Sequence, residues 1–288
     1  MNTIGTGTTS FVYRNKYFKS TLEIALRNML VAEAICTVDR TESKYIQNPY
    51  QTAPTAVVQA VVGTYATAAF TTTEDALTVA DEVYCAEHIY DFEAALANFD
   101  LFAARVDDMT NSVATAIDKY VLNVLLEEGT GSYSTPAGGF TTAANWHVII
   151  SNLLSKFAGY AESYKGLYLV VENTDLVGII QSQMANGFNF ADSALKNGLV
   201  SNQAGIEIYV VRSGTFADYT AGSYGAVTNS GHRLAGVKGM SLYAAPRGIQ
   251  YEEKAVAAKT GKEVVVWGYV GAHTWAPKQS LVIDITIV

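Results

Sequence analysis

Cysteine is almost absent: the 288 residues contain two, Cys36 and Cys85. Two thiols in a chain of this length make no disulfide framework and point to free thiols in a reducing compartment. Charge is scarce as well. Asp, Glu, Lys and Arg make up 16% of the chain, against about 25% in ordinary soluble domains. No stretch reaches the roughly 18 apolar residues of a membrane span. The segment Met1–Arg14 has no apolar core of the signal-peptide kind. Together these absences exclude a disulfide-stapled scaffold and disfavour a surface adhesin. They predict a protein without a membrane partner, made and used in cytoplasm or in a particle assembled there.

What is present is apolar and aromatic. Hydrophobic residues make up 49%, with 18 Tyr and 11 Phe. Interfaces are enriched in aromatics and depleted in charge, so this balance fits a surface largely covered by partners. It fits a compact enzyme with a large core equally well. The net charge of -8 argues against a dedicated nucleic-acid binder, which carries a basic face. It suits a wall that encloses nucleic acid without adhering to it.

Along the chain, the first 19 residues are rich in Thr, Gly and Ser and then turn basic and aromatic, without periodicity; they read as an extended arm. Ser20 and Glu23 form a capping box for a helix over Ser20–Ala34, with Leu22, Leu26, Met29 and Leu30 at helical spacing. Residues 56–70 and 76–84 read as two strands joined by a polar turn, Thr71–Asp75, making a long hairpin with few core-forming aliphatics. Phe102, Val106, Met109, Val113, Ile117, Tyr120 and Val124 then step by three and four, one apolar stripe of a helix over Asn98–Glu128. Arg105, Asp108, Asn111 and Asp118 fall on its opposite face, and Gly129 ends it. Gly129–Gly139 reads as a loop. Thr142 is a candidate cap for a helix burying Trp146, Ile149, Ile150, Leu153 and Phe157. A β–α–β pattern follows: a strand at Leu167–Val171, a helix capped by Asn173 and reaching Met184, and a strand at Ile206–Val211. Between them Ser193–Asn197 reads as a helical turn. Lys262–Val270 and Leu281–Val288 read as strands of a β tail.

The residue patterns of catalysis are missing. There is no phosphate-binding loop, no nucleophile elbow and no zinc-protease helix motif. The GTGTT run at Gly5 lacks the lysine of a phosphate cradle. Cys85, His88 and Asp91 offer a thiolate, an imidazole and a carboxylate, but no second cluster completes a metal site. The histidines His88, His147, His232 and His273 are scattered. The acid pairs Glu127–Glu128 and Glu252–Glu253 sit in segments read as solvent-facing, and adjacency does not make a cleft. Lys254, Lys259 and Lys262 form a mild basic stretch best read as a solvated loop. No catalytic, cofactor-binding or metal residue is assigned, and no cofactor is expected.

The order of elements, together with Leu167–Gln181, Phe188–Val200 and Gly205–Ser213, resembles the major capsid proteins of tailed bacteriophages, which share the Hong-Kong-97-type fold. The resemblance implies an α+β chain with an N-terminal arm, an extended β-hairpin loop, a long spine helix, a peripheral domain and an axial α/β domain. It implies residues 1–44 as arm and first helix, 45–90 as the extended loop, 91–142 as the peripheral domain, 143–250 as most of the axial domain, and 251–288 as a tail returning to the peripheral domain. It further implies a structural, non-enzymatic virion protein that assembles with itself into hexamers and pentamers around double-stranded DNA, with scaffolding, portal and decoration proteins as further partners. The long helical scaffolding segment of some family members is not recognisable here, so the resemblance implies scaffolding that is a separate protein or absent. The Lys–Asn cross-link of some relatives is not expected at the hairpin, because Ala56–Tyr84 contains no lysine. An encapsulin-like compartment shell and an unrecognised cytosolic enzyme are the alternative readings.

Overall fold

The computed structural model describes residues 30–51, 54–58, 63, 71–90, 101–185, 199–203, 205–255 and 260–288. The expected arm, the capping box at Ser20, the GTGTT run and the turn at Ser193–Asn197 lie outside them. Of the expected first helix, the described part is a single turn, α1 (Ala32–Ile35).

Two sheets share one long helix. The helix, α2 (Leu101–Glu128), has 28 residues and is about 42 Å long at 1.5 Å per residue. One sheet contains β1 (Thr37–Asp39), β12 (Ser241–Ala244), β14 (Lys262–Thr274) and β13 (Ile249–Ala255) in that order, with β4 (Asp81–Ile89) also paired to β14. The other runs β5 (Gly131–Ser134), β15 (Val282–Thr286), β11 (His232–Val237), β6 (Leu167–Glu172), β8 (Ile206–Val211), β7 (Leu199–Gln203). Two two-stranded ribbons stand apart: β2 (Tyr45–Gln51) with β3 (Thr72–Thr78), and β9 (Asp218–Ala221) with β10 (Gly225–Thr228).

The apolar stripe of α2 behaves as its spacing predicts: Met109, Val113, Ile117, Tyr120 and Val124 are all buried. The end of the helix exceeds that prediction. Residues 120–126 are buried without a break, because Val282, Leu234, Tyr168 and Val170 of the six-stranded sheet close one side and Val264, Val266 and Val270 of β14 close another. A helix enclosed on all sides needs its polar groups satisfied internally. Asn123 meets this by donating to the carbonyls of Lys119 and Thr215 and accepting from Asn229. Asp118, on the face opposite the apolar stripe, is buried as well.

The β–α–β reading is observed, with β6 and β8 paired in parallel. All six residues of β6 are buried, which explains its unbroken apolar run: a parallel strand covered on both faces has no polar side. Leu167, Leu169 and Val171 face the helices α3 (Asn145–Phe157) and α4 (Leu176–Ala185), while Tyr168 and Val170 face α2. The five apolar residues expected on one face of α3 are all buried. The expected caps differ. The Thr142 hydroxyl donates to the Gly138 carbonyl, and no side chain caps α3. Glu172, not Asn173, closes the capping box before α4, with Asp175 as its reciprocal partner. Asn173 accepts the Ser213 N–H instead, across the chain.

α4 lies so close to the preceding segment that a Cβ at Gly178 would overlap the carbonyl oxygen of Phe140. Backbone cannot yield as a side-chain tip does. Gly178→Ala is therefore expected to cost about 2–3 kcal/mol through overpacking, read as a lowered midpoint in urea.

One further expectation is corrected. Gly129–Gly139 is not wholly loop: β5 lies within it, paired in parallel with β15. Its small polar residues concealed an edge strand. β15 sits inside the six-stranded sheet between β5 and β11. β13 and β14 sit in the other sheet beside β4.

Candidate assembly surface: the projecting hairpin and its base

The hairpin exists, but its strands are displaced from those expected. Tyr45 pairs with Thr78 and the register continues to Gln51 with Thr72. The segment read as the turn, Thr71–Asp75, is thus largely strand, and the tip lies between Gln51 and Thr72. Of the expected strand 56–70, residues 56–58 are described and are not in a strand; the rest, apart from residue 63, lies outside the described residues. Polar Thr-rich residues resemble a turn in sequence. They serve equally well in a ribbon with no buried face, where β-branched Thr is favoured. Pro49 is tolerated because a two-stranded ribbon has outward-facing edges. The second expected strand, Ala76–Tyr84, divides at Val79–Ala80: β3 belongs to the ribbon, and β4 to the body, where it pairs with β14.

Of the fourteen strand residues in this ribbon, only Leu77 is buried. Val57 and Val58 are 80% and 101% exposed. Such an element has almost no core of its own, and two-stranded hairpins are marginal in water without packing support. Its base is held by a small apolar cluster, Leu77 and Val79 against Leu242, Ala244 and Trp275, with Ile46 packed beside it.

A polar cluster joins that base to the body. His273, on β14, has Nδ1 at 2.9 Å from Glu128 Oε1 and Nε2 at 2.9 Å from Asp75 Oδ1. The second oxygen of each carboxylate accepts a backbone N–H: Glu128 from Thr274, and Asp75 from Ala276 at 2.7 Å. The Trp275 ring stands edge-on to the imidazole, 5.0 Å between centroids. Burial alone would lower the imidazole's pKa. The hydrogen bond and charge of Glu128, then those of Asp75, outweigh it and raise the value from 6.5 to about 9. For Asp75, burial acts upward, but the Ala276 N–H and His273 hold the carboxyl below its ordinary range. Sequence reading treated His273 as a scattered histidine and Glu128 as solvent-facing. Their convergence across 145 residues has no local signal.

A second carboxylate anchors the first described turn. Asp118 Oδ1 accepts the N–H groups of Val31 at 2.9 Å and Ala32 at 2.7 Å. Burial raises its pKa from 3.8 to about 6, opposed by these two bonds. The folded state therefore holds a proton that the unfolded chain has already lost, and stability falls as pH rises from 3.8 to about 6. Asp118→Asn is expected to flatten that part of a melting-temperature profile.

The other residues considered for chemistry do not converge. Cys85 and His88 lie on β4; His88 Nε2 is 3.3 Å from the Thr260 carbonyl, and Asp91 lies outside the described residues. His147 is exposed on α3, and His232 Nδ1 lies 2.8 Å from Asp284. Glu252 and Glu253 pair separately with Lys254 and Lys262, at 3.1 and 2.9 Å. Lys254 and Lys262 are thus strand residues in surface ion pairs, not part of a free loop. Lys259 lies outside the described residues. Both nitrogens of His273 are taken by carboxylates on opposite sides of the ring, so this cluster presents no converging lone pairs to a metal. Among the described residues no group of three or more His, Cys, Asp or Glu is placed to hold a metal ion, and no helix is long and apolar enough to cross a membrane.

The backbone as a whole is similar to those of solved structures. A chain of Mycobacterium phage Che8 matches 94% of this chain over 96% of its own length, with a TM-score of 0.74 and 14% identity. The capsid of the cyanophage P-SCSP1u matches 100% of this chain over 96% of its own, at 0.71 and 17%. The mature capsid of bacteriophage PhiM1 matches 95% over 91%, at 0.69 and 10%. The chain has the Hong-Kong-97-type phage capsid fold. The resemblance read from the sequence implies α2 as the spine helix and the β2–β3 ribbon as the extended loop. No protein-family model and no curated protein matches the chain. The likeness is therefore one of backbone architecture, preserved where sequence identity is 10–17%.

Proposed function

We propose that this chain is the major capsid protein of a tailed bacteriophage. Its copies assemble as hexamers and pentamers into an icosahedral head that encloses double-stranded DNA, and it has no catalytic role. The observation that carries this reading is the capsid fold matched over 94–100% of the chain, and over 91–96% of the phage structures it matches. The ribbon supports it. An element with one buried residue in fourteen gains a packed environment only when another subunit supplies it. On this reading the peripheral domain is built on α2 with the sheet around β14, and the axial domain on the six-stranded sheet with α3 and α4. Its first partners are its own copies; scaffolding, portal and decoration proteins follow, and the net charge of -8 keeps contact with packaged DNA non-specific.

The test is direct. The purified protein, concentrated and viewed by negative-stain electron microscopy, is expected to form closed particles, rings of five or six subunits, or both. A protein that remains monomeric at high concentration, alone and with a co-expressed scaffolding candidate, overturns the reading.

A further inference from the structure

The base of the hairpin carries an arrangement that its apolar packing does not require. Three titratable side chains from three elements, β3, α2 and β14, meet through one imidazole. A neutral imidazole has one N–H donor and one lone pair. Here both ring nitrogens face carboxylate oxygens at 2.9 Å, so a neutral ring would turn a lone pair onto one carboxylate. The geometry is satisfied only by the imidazolium, which donates on both sides. All four carboxylate oxygens then have donors, two from the ring and two from the backbone of Thr274 and Ala276. Among the described residues no other hydrogen bond ties Asp75, midway along β3, to α2.

We propose that Asp75, His273 and Glu128 form a proton-operated latch that fixes the hairpin's base against the C-terminal end of the spine helix, and that loss of the ring proton releases the hairpin while the two sheets stay folded. The release is local for a physical reason. The latch joins the ribbon, which has one buried strand residue, to a body with two large cores of its own. Elements with few buried contacts open first.

The neighbouring titratable groups do not substitute for the ring. Glu127, next along α2, accepts the Thr228 N–H instead. The Tyr120 phenol, on the same helix, is kept neutral by burial and by its bond to Asp81 of β4. The Tyr224 phenol is pushed up to about 12 by burial and by Glu128 and Glu127. Only His273 changes charge between pH 7 and 10 within this cluster. Its contribution is complete below 6.5 and is lost as pH rises through about 9.

The experiment compares wild type with His273→Gln and Asp75→Asn by hydrogen–deuterium exchange at pH 7, as unassembled protein, so that its outcome does not depend on the capsid reading. Amides of Tyr45–Gln51 and Thr72–Thr78 are expected to exchange at least about tenfold faster in both variants, with β6 and β8 unchanged. Melting of the wild type from pH 6 to 10 is expected to show a fall between pH 6.5 and about 9 that His273→Gln lacks. Unchanged hairpin exchange overturns the latch. So does a uniform rise across all strands, which reports a structural residue only. An alkaline fall that survives in His273→Gln assigns the titration to another group and also overturns it.

Discussion

Replacing residues 50–73 by Asn-Gly is expected to leave a folded subunit that forms no shells. The replacement joins Pro49 to Glu74, which face each other across the ribbon, and Asn-Gly is the favoured two-residue connection for such a pair. It retains Ile46, Asp75 and Leu77, so the apolar base and the His273 cluster remain. Every described residue that it removes is exposed or half-buried. The change in unfolding free energy is therefore expected to stay within about 1 kcal/mol, the scale of surface substitutions. Assembly, in contrast, is expected to fall below detection by electron microscopy and by sedimentation. Normal particles would remove the hairpin from the assembly mechanism. An unfolded subunit would show that it serves the interior of its own chain.

The second large effect lies far from the hairpin. Arg233 is expected to be the most costly single side chain to lose from the six-stranded sheet. Its Nε donates to Asp175 Oδ2 at 2.6 Å, its Nη2 to Glu172 Oε2 at 3.1 Å, and its Nη1 to the His232 carbonyl at 2.6 Å. The guanidinium also lies over the Phe216 ring, 5.7 Å from its centroid. All three charged side chains are less than a tenth exposed. Glu172 and Asp175 also form the capping box of the 3-10 turn Asn173–Asp175 that leads into α4, and Glu172 accepts the N–H groups of Gly214 and Phe216. Arg233→Ala therefore leaves two carboxylates buried without a cation, at a cost of about 3–5 kcal/mol. The melting temperature is expected to drop on the order of 10 °C. Arg233→Met combined with Glu172→Gln and Asp175→Asn removes the uncompensated charge and is expected to recover about half of the loss. A single Arg233→Ala variant that melts with the wild type would show that water reaches these carboxylates.

The architecture was legible where periodicity carries it. The steps of three and four from Val106 to Val124 predict α2, the unbroken apolar run of Leu167–Val171 predicts a buried strand, and the spacing from Trp146 to Phe157 predicts α3. Each is a local pattern imposed by one buried face, or two, and burial leaves its period in the chain. The hairpin register failed for the converse reason: a ribbon with no buried face leaves no period, so Thr72–Asp75 looked like a turn and Ala56–Val58 like a strand. Local chemistry likewise misplaced Glu128. A carboxylate on a helix reads as solvent-facing unless something distant covers it.

The sequence alone determined the succession of elements and, through it, the resemblance to a capsid fold. Tertiary structure alone decided the partners of the polar groups: His273 between Asp75 and Glu128, Arg233 over Glu172 and Asp175, Asp118 beneath Val31 and Ala32. The division follows from range. Helix and strand periods arise between residues a few positions apart, whereas a buried charge is matched by whichever group the folded chain brings within about 3 Å, and sequence separation places no bound on that.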